Sequence, residues 1–166
     1  LVHHRELDGI SDEEFFDLFN AAESRRVLQD SYMELYLQKL GKPGSRWYEK
    51  TPQNIYAASL MAADYPESKF VHIVRNPLNV VASLREGKII KQDNTNAAIN
   101  YWLESVTALD VLQKAYPDRV LDLVYENLLE DPVTHANKLF SFIDEGSAET
   151  LISQFTFKPE TNKYLS

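Results

Sequence analysis

A chain of 166 residues, 44% hydrophobic and 25% charged, fits one globular domain with a single core and leaves no room for two. It contains no cysteine, which excludes disulfides, thiolate chemistry and Cys-based zinc sites; this is compatible with any compartment and favours a reducing one, such as the cytoplasm. The formal net charge of −8 argues against a general nucleic-acid binder, whose phosphate contacts need a basic surface. A single anionic small molecule held by a few placed cations is still allowed, so the basic residues have to be read one by one.

The opening Leu1-Val2-His3-His4-Arg5 has neither the apolar core nor the cleavage pattern of a signal peptide. It also lacks an initiator Met, so the chain is expected to begin inside a longer protein. No stretch reaches the run of about 18 apolar residues that would suggest a membrane span. Ser11-Asp12-Glu13-Glu14 has the form of a capping box, with Ile10 and Phe15 placed as a hydrophobic staple. Phe15, Phe16, Leu18 and Phe19 follow as an apolar face. A second helix is predicted from about Glu23 to Leu40, ended by Gly41 and the turn Lys42-Pro43-Gly44.

From there strands and helices alternate. Arg46-Trp47-Tyr48-Glu49 reads as a short strand entering Lys50-Thr51-Pro52, and a helix is predicted from about Gln53 to Asp64. Phe70-Val71-His72-Ile73-Val74 reads as a buried strand. Asn76 then caps a helix that has Pro77 at its first position. A polar stretch from Gly87 to Asn96 precedes a long helix from about Thr95 to Tyr116, with Ile99, Trp102, Val106, Leu109, Leu112 and Tyr116 on one stripe. Val120-Leu121-Asp122-Leu123-Val124 is a third strand, and Asp131-Pro132 opens another helix. Alternation of apolar strands with helices predicts an α/β fold, a parallel sheet covered on both faces. Three strands are few for such a sheet, so at least one is expected to be missing.

Ligands of open parallel sheets gather where strands end and helices begin. Two polar clusters fall at such points: Glu49-Lys50-Thr51-Pro52 and Arg75-Asn76-Pro77. Ser83 lies about two turns up the second helix, on the face of Asn76, Asn79 and Val80. A guanidinium, a helix amino end and a hydroxyl converging there suit a phosphate. Spacing alone leaves a second reading open, in which Arg75 is a surface ion-pair residue and Ser83 a packing residue. Lys50 could stabilise a developing negative charge at its strand end, or simply be solvated.

Taken together these residues resemble the core of the sulfotransferase family. The matching features are Glu49-Lys50-Thr51-Pro52, a helix, then Phe70 to Pro77 with Ser83 eight residues past Arg75. Val124-Tyr125-Glu126-Asn127-Leu128 followed by Glu130-Asp131-Pro132 resembles the family's tyrosine-acidic segment. The resemblance runs from roughly Arg46 to Ile143, in order and spacing, and is closest to the branch of bacterial and tyrosylprotein sulfotransferases. It implies a three-layer, P-loop-NTPase-like fold and 3'-phosphoadenosine 5'-phosphosulfate (PAPS) as sulfonate donor. It also implies a hydroxyl or amine acceptor (carbohydrate, peptide tyrosine, lipid or small molecule) and no metal. By the same resemblance Arg75 and Ser83 hold the 3'-phosphate, Tyr125 contacts the adenine end, Lys50 lies near the transferring sulfonate, and Thr51 helps position it.

The sequence departs from that pattern in one large respect. The family's early strand and basic Ser/Thr-rich loop around the 5'-phosphosulfate have no counterpart in the first 45 residues. The basic glycine-containing contact near the carboxyl end is also missing, Lys163 being a poor substitute, and Asn76 stands where relatives often carry Asp. The expectation is therefore a single sulfotransferase-like domain over 1–166, truncated at the amino end and at the carboxyl end. The alternative is a non-catalytic nucleotide-binding or interaction module that kept only the 3'-phosphate half-site. A P-loop nucleoside triphosphatase would need a Gly-rich Lys-Ser/Thr loop and a metal-holding Asp, neither of which is present. His3, His4 and Glu49 give no persuasive general base. His72 is expected to be a core histidine with a hydrogen-bond partner, and His135 to be solvated. Trp47 and Trp102 are expected in core and rim, and Gly87 to Gln92 as a surface loop.

Overall fold

The computed structural model describes residues 8–87 and 94–154. The chain divides into two compact units, Leu1–Pro52 and Gln53–Ser166. In the first, α1 (Asp12–Ala21) and α2 (Arg25–Lys39) form a helical pair. The capping box is realised in both directions. The Glu14 amide donates to Ser11 Oγ at 3.1 Å and the Ser11 amide to Glu14 Oε2 at 2.8 Å, while Ile10 is buried. Lys39 Nζ lies 2.8 Å from Glu14 Oε1, and its hydrogen bond is the main reason the Glu14 carboxyl sits below its ordinary range. Phe15 packs edge-on against Tyr32, with ring centroids 6.3 Å apart. Phe16 and Phe19, predicted on an apolar face, are exposed.

The end of α2 follows from its sequence. Gly41 adopts φ of +70°, its amide donates to the Gln38 carbonyl, and the Lys42 amide donates to the Leu37 carbonyl. This pair of bonds is the Schellman closure, which needs a left-handed residue where glycine pays no Cβ penalty.

A 3-10 turn (Pro52–Ala57) begins at the last residue of the first unit and leads into α3 (Ala58–Asp64) of the second, so the single helix predicted from Gln53 begins as a tighter turn. β1 (Phe70–Val74), α4 (Pro77–Glu86), α5 (Thr95–Ala115) and β2 (Val120–Val124) follow, and then α6 (Tyr125–Glu130), α7 (Pro132–Phe142) and α8 (Glu149–Ile152). β1 and β2 pair in parallel, with Phe70 opposite Val120 and Val74 opposite Val124. Parallel pairing requires a crossover, and α4 and α5 supply it. The core lies against this pair: Ala58, Ala62, Leu109, Leu112 and Val120 cluster with Ile55, Phe70 and Tyr116 packed on them.

Arg119 ties this core together. Its guanidinium donates to the carbonyls of Ser68 (2.9 Å), Tyr65 (2.7 Å) and Ala62 (3.3 Å) and to Ser68 Oγ (3.0 Å). It also stands over the rings of Tyr116 and Phe70. A planar fork with five donors is suited to collecting the carbonyls left open where α3 ends.

Three expectations need correction. Residues 46–49 form no strand; Tyr48 is 89% exposed, and the segment joins no β-ladder among the described residues. Apolar alternation makes a segment extended, but a strand exists only where a partner supplies the ladder. The sheet therefore has two strands among the described residues, not three. One of its faces is also unevenly covered: Leu121 and Leu123 of β2 are buried, whereas their β1 partners Val71 and Ile73 are 39% and 57% exposed. On α5, Leu109 and Leu112 are buried as predicted, but Ile99 is exposed and Ala98 takes the buried position.

Candidate functional site

The register of the two strands decides what meets at their carboxyl ends. Every Cα pair is offset by 50 residues, from Phe70–Val120 to Val74–Val124. Continued one step, the offset sets Arg75 beside Tyr125, and a second step sets Asn76 beside Glu126. The side chains follow that placement. The Arg75 guanidinium carbon lies 5.0 Å from the centroid of the Tyr125 ring, a cation–π contact. The Asn76 amide donates to Glu126 Oε1 at 3.0 Å.

Both motifs are thus read at one corner because two apolar strands, 50 residues apart, share a register. Each strand turns directly into a helix, α4 starting at Pro77 and α6 at Tyr125. At the start of α4, Asn76 Oδ1 accepts from the Leu78 amide at 2.9 Å. With Pro77 lacking an N–H and the Asn76 amide given to Glu126, the first backbone donors of α4 are already used. The cationic side chain at this corner is that of Arg75. Ser83 is exposed two turns along α4.

Below this corner, His72 Nδ1 lies 3.0 Å from Asp122 Oδ1, again across the 50-residue offset. The histidine side chain is 17% exposed. It has the hydrogen-bond partner expected of a strand histidine. His135, on α7, and Trp47 and Trp102 are half-buried.

Lys50 and Thr51 belong to the first unit, while Arg75, Ser83 and Tyr125 belong to the second. Lys50 is exposed. Thr51 Oγ1 donates to Glu49 Oε1 at 2.5 Å, so residues 49 and 51 meet on one side of the chain, as an extended backbone requires. His3, His4, the Lys88 to Gln92 part of the surface loop, and the tail with Lys163 lie outside the described residues. Among the described residues no group of His, Cys, Asp or Glu could hold a metal ion, and no helix is long and apolar enough to cross a membrane.

The comparisons with known proteins bear on this corner. The sequence model of the Sulfotransferase family matches residues 2–148. The chain belongs to the sulfotransferase family. A solved structure, "Sulfotransferase Domain from the Curacin Biosynthetic Pathway", is similar in fold, with a TM-score of 0.61 and 16% identity over 79% of this chain. The match covers 49% of that domain, so this family member spans about half its length. No curated protein matches the chain. The mixed α/β architecture, mostly helical around a small parallel sheet, is that of a sulfotransferase domain.

One residue of the site was visible in the sequence without a role. Glu126 lies inside the tyrosine-acidic segment, but its contact with Asn76 is fixed by strand register, and neither segment specifies that register alone.

Proposed function

We propose that this chain carries the 3'-phosphate half of a donor site for PAPS, in an enzyme that transfers a sulfonate to a hydroxyl or amine acceptor. The observation that carries this reading is the Arg75–Tyr125 pair at the joined carboxyl ends of β1 and β2, in a member of the sulfotransferase family. A guanidinium held over an aromatic ring is a fixed cation, and a fixed cation suits a terminal phosphate monoester. In this reading Arg75 and Ser83 grip the 3'-phosphate, and the Tyr125 ring borders the adenine end. The two strands belong to a three-layer, P-loop-like sheet.

Lys50 is assigned to the reacting end, with Thr51 beside it. Sulfonate transfer breaks the S–O bond to the donor's phosphate oxygen and forms a new S–O or S–N bond to the acceptor, whose proton passes to a base. Charge then builds on the departing phosphate oxygen, and a fixed ammonium stabilises it. The remote 3'-phosphate supplies binding energy that orients the reacting end.

The test is calorimetric titration of the chain with adenosine 3',5'-bisphosphate, with adenosine 5'-monophosphate as control. The bisphosphate is expected to bind selectively. Arg75→Ala is expected to weaken it by about 1.5–3 kcal/mol, the range of a hydrogen bond to a charged group. Equal affinity for both nucleotides, or an unaffected Arg75→Ala variant, would sink the assignment.

A further inference from the structure

We infer that Glu126 is a positioning residue: its carboxylate clasps the backbone of Asn76 and so fixes the direction in which Arg75 presents its guanidinium. The inference rests on the donor-site reading above and gives that site a second, non-contacting layer.

The argument starts from the connection between β1 and α4. Arg75 and Asn76 make up the whole link between Val74, the last residue of β1, and Pro77, the first of α4. Two residues must turn the chain from extended to helical, and the orientation of Arg75 is set by the torsions there. Asn76 has φ −46° and ψ 123°, outside the helical well. Pro77 disfavours helical torsions at Asn76 and gives no donor, so it does not anchor the link by hydrogen bonding.

Anchoring comes from the helix that follows the other strand. Glu126 Oε1 accepts from the Asn76 amide at 3.0 Å, across 50 residues of sequence. Tyr125, its immediate neighbour, lies against the Arg75 guanidinium at 5.0 Å. One dipeptide thus holds the link at two points, the ring on the side chain and the carboxylate on the backbone. Both points move together, because Tyr125 and Glu126 form the first turn of α6 directly after β2.

A carboxylate close to a site for a phosphate is unfavourable unless it performs work there. The hydrogen bond supplies that work, since a charged acceptor on a backbone amide is among the stronger hydrogen bonds. It also uses up a donor that would otherwise stay open at the helix start. The role needs an acceptor oxygen and not the negative charge itself.

That distinction sets the experiment. The wild-type chain, Glu126→Ala, Glu126→Gln and Arg75→Ala are titrated with adenosine 3',5'-bisphosphate, with melting temperatures recorded for each. Glu126→Ala is expected to raise Kd about tenfold, and Glu126→Gln, which keeps the acceptor, to stay within about twofold of wild type. Amide hydrogen exchange at Asn76 is expected to accelerate in the Ala variant and not in the Gln variant. Wild-type affinity or tighter binding in Glu126→Ala overturns the inference, as does a Gln variant no better than Ala. Failure of the donor-site reading looks different: the wild type then does not bind, or binds regardless of Arg75→Ala, and the clasp as a ligand device falls with it. If Glu126→Ala does not fold, the Gln variant and its Asn76 exchange rate decide, and fast exchange there refutes the clasp.

Discussion

At the scale of single residues, the two cations assigned to the donor differ in what they should control. In the proposed reading Arg75 would hold the 3'-phosphate, which transfer leaves unchanged, so its contribution would be nearly equal in ground and transition states. In the same reading, Lys50 would face charge that appears only as the S–O bond breaks. An interaction made only in the transition state changes turnover, whereas one made throughout changes affinity. In a protein competent for transfer, Lys50→Ala should therefore lower kcat by about 10²-fold or more while leaving nucleotide affinity within about threefold. Single-turnover rates and bisphosphate titration on the same preparation separate the two quantities; an unchanged rate removes Lys50 from the chemistry. Arg75 was legible in the sequence because a strand that ends in Arg-Asn-Pro is a local pattern, whereas the strand read ahead of Lys50 does not form. Glu126 was not legible in its role, because its partner is 50 residues away and only the strand register joins them.

At the scale of elements, the caps and closures were the most legible features, and the reason is range. The box at Ser11 and Glu14, the Asn76 cap and the Gly41 closure each involve residues within five positions of one another. A strand has no such local proof. Residues 46–49 carry the composition of a strand but lack a ladder partner among the described residues, whereas 70–74 and 120–124 find each other. What joins elements is equally hidden, and Arg119 is the clearest instance. In the sequence it is one arginine in Pro117-Asp118-Arg119; in the structure it gathers the Ala62, Tyr65 and Ser68 carbonyls around the end of α3 and the entry to β1. Removing the side chain takes this donor from the Ala62 and Ser68 carbonyls, each loss costing on the order of 1–3 kcal/mol where water does not replace it, while the Tyr65 carbonyl keeps the Ser68 amide and hydroxyl as donors. Because Arg119 is only partly buried, water recovers some of that loss. Arg119→Ala should accordingly destabilise the chain by about 2–4 kcal/mol, and Arg119→Lys should recover only a minor part, since an ammonium cannot reproduce the planar fork. Urea unfolding of the three proteins checks this; a Lys variant as stable as wild type would show that charge, and not the fork, matters.

At the scale of the whole chain, the fold class was legible and the completeness of the sheet was not. Alternating apolar strands and helices implied a covered parallel sheet, and the pair that forms is parallel. Its coverage stops part-way: on the face carrying residues 71, 73, 121 and 123, Leu123 is 2% exposed while Ile73 is 57% exposed. Sequence hydrophobicity is the same for both strands, so it could not distinguish the strand that is covered from the one that is not. Val71 and Ile73 therefore stand on a strand with one ladder partner among the described residues. Exposed β-branched apolar residues on such a strand are a template for association with further chains. The chain should consequently self-associate as its concentration rises, and the double variant Val71→Thr/Ile73→Thr should reduce that tendency. Threonine keeps the β-branch that suits a strand while adding a hydroxyl for solvent, so stability should change by no more than about 0.5–1 kcal/mol at these exposed positions. Sedimentation velocity across a concentration series reads the association, and circular dichroism reports whether the fold is kept. A wild-type chain that stays monomeric throughout would mean that this apolar face does not drive association, and an equally associated double variant would place the contact on another surface, with the exposed aromatic residues of α1 the next to test.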